Sequence, residues 1–143
     1  MRTIALRFSD NYAPPQGTIK LHKAVIDEHG YVWYGKFGSA ISPKIVNDLL
    51  KMEQPKFLLI HGGTSLRYWV LFDSIERICP EPELVPEYYR NQMDSIKAWF
   101  RVKDFIVAPK NIMSKCIVSS SKSVLTDASM HSLSPYFIID YEE

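Results

Sequence analysis

The most distinctive stretch of the chain lies at residues 30–38 and reads GYVWYGKFG. Its aromatic side chains are Tyr31, Trp33, Tyr34 and Phe37, and glycines stand at both ends and in the middle. Such a stretch is typical of a β-strand whose aromatic rings fill a small core. It also suits a pocket wall, because aromatic faces stack against planar groups and glycine lets the backbone approach a ligand closely. The rest of the chain has to decide between these two interpretations.

The composition is that of an ordinary soluble globular protein. The chain has 143 residues, of which 46% are hydrophobic and 23% are charged, and this length is most simply one domain covering residues 1–143. The formal net charge is only +1, whereas a chain recognised as nucleic-acid binding from charge alone would be strongly basic. A nucleic-acid function must therefore depend on where individual lysines and arginines lie.

Cysteine usage and the N-terminal sequence indicate the cytoplasm. Cys79 and Cys116 match no metal-binding spacing and are expected as reduced thiols, with a single disulfide between them left open. The N-terminus turns polar after eight residues, which is too soon for the core of a signal peptide. No apolar run approaches the length of a membrane span. We expect a cytoplasmic protein with no membrane partner.

Local signals predict the elements of the first half. Residues 3–8 are β-prone, residues 9–17 form a proline-rich loop, and helical spacing covers Thr18–His29, where Thr18 can cap the start and Gly30 the end. A second helix begins with Ser42 as its cap and Pro43 in its first turn, and Pro55 ends it. Lys56–His61 and residues 66–78 surround a Gly-Gly turn at residues 62–65 and predict a hairpin.

The second half adds a long connection and several strands. Residues 79–94 are proline-rich, and a connection of this length is more often functional than decorative. Ile96–Val107 alternates like a strand, and further elements are expected as a strand at 112–118, a serine-rich loop at 119–123, a short helix at 123–131 and a strand at 136–140. This order favours an α+β domain, built on a small curled β-sheet or barrel and flanked by two or three helices.

One face of the strand Ile96–Val107 is unusual because it carries Lys97, Trp99, Arg101 and Lys103. A tryptophan among three cations can be a stacking platform. It can also be a tryptophan that another element of the fold covers. The sequence leaves both alternatives open.

The chain lacks the companion residues that catalytic and metal-binding motifs require. His61-Gly62-Gly63 resembles the oxyanion segment of lipases, but no G-x-S-x-G elbow accompanies it, so a tight turn is the better interpretation. The glycines match no phosphate-binding loop. The four histidines are isolated from each other and from cysteine, which disfavours a metal site. We expect no enzyme activity, no cofactor and no metal.

The remaining candidate residues are aromatic and cationic side chains that suit the binding of a nucleic acid. Phosphate contacts supply affinity for a nucleic acid, and a stacked base supplies specificity. The candidate base-contacting aromatics are Tyr31, Trp33, Tyr34, Tyr88, Tyr89 and Trp99. The candidate backbone-contacting cations are Lys36, Arg67, Arg90, Lys97, Arg101, Lys103 and Lys122.

The element order and several short segments resemble the PUA-like superfamily, specifically its branch of EVE and YTH domains. The resemblance covers about residues 3–118, and its motifs are short and degenerate. The matching segments are YVWYGK at 31–36, KFLLIHGG at 56–63, LRYWVLFDSIERI at 66–78 and AWFRVKDF at 98–105.

The resemblance implies a non-catalytic reader of a modified base. Domains of this branch take a flipped base into an aromatic cage, which is N6-methyladenine in RNA for YTH domains and a modified base in DNA for several EVE-like domains. Trp33 corresponds to the first cage position, Tyr34 adjoins it, and Tyr88 and Tyr89 replace the second cage tryptophan. The resemblance favours modified DNA over RNA, and it allows a role in a modification-dependent restriction system whose effector nuclease is another chain. On this interpretation Trp33→Ala abolishes base-specific binding and leaves the fold intact.

Three alternatives stay open at this point. The same aromatic surface could dock a protein partner, in which case binding to oligonucleotides would be absent. The chain could also be an RNA-binding PUA-like domain. A small enzyme acting on a nucleotide or an RNA base would need a carboxylate or a histidine beside Trp33 in space.

Overall fold

The structure is a computed structural model that describes residues 1–8, 17–38, 40–61, 66–132, 134 and 136–142. Two sequence-based predictions fall outside the described residues. These are the loop at residues 9–17, apart from Gly17 itself, and the hairpin turn at residues 62–65, which includes the Gly62-Gly63 pair.

The described residues form a mixed seven-stranded sheet in the order β2-β5-β4-β3-β1-β7-β6. Strand β1 is parallel to β3 and antiparallel to β7, and β2 is antiparallel to β5. The predicted hairpin strands β3 and β4 are neighbours, as expected. The strands are β1 (Arg2–Phe8), β2 (Val32–Phe37), β3 (Lys56–His61), β4 (Arg67–Glu76), β5 (Ile96–Val107), β6 (Cys116–Val118) and β7 (Tyr136–Tyr141).

Helices accompany this sheet, and together they confirm the predicted α+β class. The α-helices are α1 (Thr18–His29), α2 (Pro43–Leu50) and α3 (Leu125–His131). Single turns and short runs of 3₁₀-helix cover Pro82–Leu84, Glu87–Ser95 and Ile112–Lys115. Among the described residues, no helix is both long enough and apolar enough to span a membrane.

Both ends of α1 lie where the sequence predicted them, but the residue that caps the start is different. Gly30 adopts φ 89° and its N–H donates to the carbonyl of Ile26 at 2.7 Å, which is the left-handed cap that glycine supplies at low cost. The prediction that Thr18 caps the helix is wrong. Gly17 holds the cap position, and no side chain completes the cap, because Thr18 is already the first helical residue and is buried.

Helix α2 begins as predicted and ends early. The Ser42 hydroxyl accepts the N–H of Ile45 at 3.4 Å, with Pro43 in the first turn. The helix ends at Leu50 rather than at Pro55, because the N–H of Met52 turns to the carbonyl of Leu49 and tightens the last turn.

Shorter elements replace three predicted ones. The connection at 79–94 contains 3₁₀ turns rather than loop alone. The predicted strand at 112–118 is reduced to Cys116–Val118, because a 3₁₀ turn occupies its first half. The last helix begins at Leu125, two residues later than predicted. Cys79 and Cys116 are both buried and unbridged.

The chain divides into two compact units. The first contains Met1–Ser9, Phe57–Trp69 and Ile106–Glu143, and the second contains Asp10–Lys56 and Val70–Phe105. The first unit joins the two chain ends, since Arg2 pairs with Asp140 at 2.8 Å. The second unit contains every candidate base-contacting aromatic. The single domain over residues 1–143 stays a prediction.

Candidate functional site

Strand β2 carries the aromatic stretch at an edge of the sheet. Its register pairs Trp33 with Arg101 and Gly35 with Trp99 of β5. Successive side chains of a strand point to opposite faces, so Trp33 and Tyr34 lie on different faces of β2. The two adjoining cage positions that the family resemblance implies therefore do not line one common surface.

Trp33, on one face of β2, belongs to a hydrophobic cluster in the second unit. Trp33 is 2% exposed and Trp99 is 1% exposed, which answers the question left open for Trp99: other residues cover it. These burial values support the core interpretation of both tryptophans in this conformation. The members of this Trp33 cluster are Trp33, Cys79, Leu84, Val85, Tyr89, Ile96 and Trp99.

Gly35 allows this cluster to pack against the backbone of β2. A Cβ atom at Gly35 would lie 2.9 Å from both Cδ1 and Cγ2 of Ile96 and 3.0 Å from Cζ3 of Trp99. Real side chains do not approach each other this closely in a well-packed core. The glycine in the middle of the aromatic stretch thus admits a neighbouring side chain rather than a ligand.

We expect Gly35→Ala to lower the free energy of unfolding by about 1–3 kcal/mol, the usual cost of overpacking. Chemical denaturation monitored by tryptophan fluorescence measures this change. The matched test combines Gly35→Ala with Ile96→Ala, which removes both clashing Ile96 atoms. The double variant should be more stable than the sum of the two single effects, and simple additivity would contradict the proposed clash.

Glu81 is the polar anchor of the Trp33 side. The Tyr31 hydroxyl donates to the Glu81 carboxylate, 2.7 Å from Oε2 and 2.9 Å from Oε1, and Trp33 Nε1 donates to Oε1 at 3.2 Å. The hydrogen bond to Glu81 raises the pKa of Tyr31, since the carboxylate opposes a tyrosinate. Sequence reasoning missed Glu81, which lies in the proline-rich connection with no motif to single it out.

Arg101 is held from two sides. Its guanidinium carbon lies 5.3 Å from the centre of the Tyr31 ring, and its Nε donates to Asp73 at 2.7 Å. The hydrogen bond to Asp73 raises the pKa of Arg101. The side chain is 39% exposed, so any phosphate contact by Arg101 would compete with this existing carboxylate partner.

Aromatic rings surround His22 of α1 next to Tyr34 of β2, and one of them, Tyr89, also belongs to the Trp33 cluster. Its ring centre lies 5.2 Å from that of Tyr34, 5.3 Å from Tyr89, 5.8 Å from Phe105 and 6.5 Å from Tyr88. These five residues are called the His22 cluster below. His22 is fully buried, and no sequence pattern groups it with the tyrosines.

The protonation state of His22 follows from its neighbours. Its Nδ1 lies 2.7 Å from the carbonyl oxygen of Thr18. A carbonyl can only accept, so Nδ1 carries the hydrogen and Nε2 of the neutral ring is an acceptor. Nε2 is buried and has no hydrogen-bond partner among the described residues. Burial lowers the pKa of His22 to about 4, which keeps the ring neutral at physiological pH.

Tyr88 and Tyr89 enter this cluster from the Glu87–Ser95 segment. Their ring centres are 4.8 Å apart, and the Tyr89 hydroxyl donates to the carbonyl of Gly35 at 3.4 Å. This contact gives the Gly35 carbonyl of an edge strand a side-chain donor. Tyr89 is buried, whereas Tyr88 is half-buried and is the member of the cluster nearest to solvent. Burial raises the pKa of both Tyr34 and Tyr89.

The candidate cations differ widely in exposure. Lys36 is only 5% exposed, its Nζ donates to the carbonyl of Phe37 at 3.3 Å, and burial lowers its pKa. An ammonium in this position does not suit the surface contact with phosphate that the sequence suggested for Lys36. In the second unit Arg90, Lys97 and Lys103 are exposed, and in the first unit Arg67 is half-buried and Lys122 is exposed.

The absence of a cofactor and of a metal stays a prediction. Among the described residues, no group of three or more histidine, cysteine, aspartate or glutamate side chains is placed to hold a metal ion. The enzyme alternative required a carboxylate or a histidine beside Trp33. The carboxylate is present, since Oε1 of Glu81 accepts from Trp33 Nε1 at 3.2 Å, whereas His22 packs against Tyr34. The absence of enzyme activity stays a prediction.

Comparison with known proteins gives one match. A family model described as Pua-like matches residues 4–143. No curated protein and no solved structure matches the chain significantly.

Proposed function

Because the chain belongs to the Pua-like family, whose domains generally bind nucleic acids, we propose that it is a nucleic-acid-binding module that reads a modified base, in DNA rather than RNA. The observation that carries the proposal is the His22 cluster. It gathers aromatic rings from α1, β2, β5 and the Glu87–Ser95 segment, with the half-buried Tyr88 at its outer side.

Aromatic rings suit a base taken out of a duplex. Extrusion costs a few kcal/mol of lost stacking, which a close-fitting pocket must offset. Stacking on an aromatic side chain contributes about 1–3 kcal/mol per base. Burying an added methyl group contributes roughly 0.8 kcal/mol more, and this difference is the physical basis for preferring a modified base.

The cations of the same unit would supply the affinity that does not depend on sequence. Arg90, Lys97 and Lys103 are exposed side chains of the second unit. If they make about three phosphate contacts, the slope of log K against log salt concentration is about −3 for duplex DNA. The net charge of +1 agrees with such a modest electrostatic contribution.

The proposed module has no catalytic role of its own. In a modification-dependent restriction system, it would recognise the modified base and an effector nuclease on another chain would cut. This part of the proposal rests on the family resemblance of the aromatic stretch and on the binding chemistry of the His22 cluster.

Fluorescence polarisation with matched oligonucleotides tests the proposal. DNA and RNA probes carry unmodified, methylated or hydroxymethylated bases, and binding is measured at low and moderate salt. We expect selective binding of a modified DNA probe and, for Tyr88→Ala, at least tenfold weaker binding of that probe, because a stacking ring is lost. Tyr136→Ala removes a half-buried tyrosine of the first unit and is the matched control.

Two outcomes would overturn the proposal. Equal binding of all probes, lost steeply with salt, would mean a backbone binder without a base pocket. No binding of any probe would favour a module that docks a protein partner. Selective binding of a modified RNA probe would keep the reader and reverse the preference for DNA.

A further inference from the structure

We propose that Nε2 of His22 accepts a hydrogen bond from the exocyclic amino group of the bound base, so that the site selects adenine-type or cytosine-type bases over bases with a carbonyl at that position. This inference rests on the proposed function and names its substrate class. It would make His22, a residue of α1 outside the aromatic stretch, the determinant of base identity.

The hydrogen bond between His22 and Thr18 sets the role of the other ring nitrogen. Nδ1 is committed as a donor to the carbonyl of Thr18, 2.7 Å away, so Nε2 offers a lone pair and no hydrogen. A ligand group that satisfies it must therefore be a donor. Adenine and cytosine present an amino group on the Watson–Crick edge, whereas hypoxanthine and thymine present a carbonyl oxygen at the equivalent position. In the same orientation of the base, that oxygen would face the Nε2 lone pair.

Nε2 of His22 is buried and lacks a hydrogen-bond partner among the described residues. Buried polar atoms in native proteins nearly always have a hydrogen-bond partner, and an exception requires a reason. His22 is fully buried, and Nε2 has no hydrogen-bond partner among the described residues. The rings of Tyr34, Tyr89 and Phe105 surround it, and such rings provide stacking faces for the base that brings the donor.

A bound base would reach His22 at the position of Tyr88. Tyr88 is the half-buried ring of the cluster, and its centre lies 6.5 Å from that of His22. The segment that carries it is a 3₁₀-helix, whose hydrogen bonds are weaker than those of an α-helix. Tyr89 of this segment contacts β2 through a long hydrogen bond to the carbonyl of Gly35, at 3.4 Å. Outward movement of Tyr88 would let a base take its place beside His22.

The preferred modifications follow from the same geometry. Methylation at N6 of adenine or N4 of cytosine leaves one N–H on the amino group, and methylation at C5 of cytosine leaves both. All three bases can therefore donate to Nε2 while placing a methyl group against the rings. A dimethylated amino group has no N–H and cannot donate.

The test compares pairs of bases that differ in the exocyclic group, together with the ring N–H that accompanies a carbonyl. 5-Methylcytosine and thymine carry the same methyl group, but one has an amino group where the other has a carbonyl. N6-Methyladenine and N6,N6-dimethyladenine form a second pair. In otherwise identical single-stranded DNA probes, which avoid differences in base pairing, we expect the amino-bearing member of the better-bound pair to bind at least tenfold more tightly to the wild-type chain.

A protein variant then assigns this preference to His22. His22→Phe keeps an aromatic ring and removes the acceptor, so the ratio of the two affinities should fall to within twofold. A change in folding alone would weaken both probes and leave their ratio unchanged. If the variant does not fold, equal affinity of the wild-type chain for both members of each pair still overturns the inference.

The outcomes separate this inference from the proposed function. Equal affinity for both members of each pair, together with tighter binding than to unmodified probes, would overturn the role of His22 and leave the base reader standing. A preference that persists in His22→Phe would also overturn it. Failure to bind any probe would overturn the proposed function and this inference with it.

Discussion

Replacing Trp33 by alanine is expected to lower the free energy of unfolding by about 3–5 kcal/mol, the usual cost of removing a fully buried large aromatic side chain. Trp33 is 2% exposed and packs with Trp99 and Ile96 in a hydrophobic cluster. The substitution also removes the indole N–H that reaches Glu81 at 3.2 Å. Thermal denaturation followed by circular dichroism should show a midpoint lower by roughly 10 °C.

The matched control separates volume from hydrogen bonding. Trp33→Phe keeps most of the ring volume and loses the donor to Glu81, so it should cost clearly less than Trp33→Ala. A Trp33→Ala variant with the wild-type midpoint that no longer binds a modified probe would contradict the core interpretation. It would return Trp33 to the base pocket, as the family resemblance implied.

The second large effect is a dependence of stability on pH that arises from His22. Its pKa is about 4 in the folded protein and 6.5 in the unfolded chain, because burial disfavours the charged ring. Between these two values the unfolded chain binds a proton that the folded chain does not, so the free energy of unfolding rises with pH. This contribution is fully present above pH 6.5 and is lost as pH falls towards 4, with a total change of about 3 kcal/mol.

Denaturation curves at several pH values between 4 and 7.5 measure this contribution, and the difference between variants isolates it from other groups. Asp140, whose pKa the Arg2 side chain lowers, gives an acid dependence that wild type and variant share. In His22→Phe the part due to His22 disappears, so its stability should fall less steeply with acid. His131→Phe, at an exposed histidine, is the matched control. Parallel curves for wild type and His22→Phe would contradict the prediction.

These two expectations divide the aromatic stretch by function. On one face of β2, Trp33 contributes to the hydrophobic core and is tied to Glu81. On the other face, Tyr34 packs against His22, and the ring of Tyr88 is half-buried. A stability defect for Trp33→Ala beside a binding defect for Tyr88→Ala would place the proposed base site on the Tyr34 face.

Most local elements and the family were predictable from the amino-acid sequence. The start of α2 at Ser42-Pro43 and the end of α1 at Gly30 were predicted correctly, as was the strand Ile96–Val107. Capping and alternation act between residues a few positions apart, so the signal is complete within a short window. The Pua-like family was also evident from segments spread along the chain, and its match covers residues 4–143.

Which side chains are covered, and what they contact, became known from the three-dimensional arrangement of the elements. Trp99 and Lys36 are buried, Glu81 joins Tyr31 to Trp33, and His22 lies among tyrosines. Nothing near these residues in the sequence indicates this, because burial depends on elements that are distant along the chain. Glu81, for instance, lies in the proline-rich connection far from the strand that it anchors. A sequence pattern gives the face of a strand, but the element that packs on that face gives each side chain its environment and its pKa.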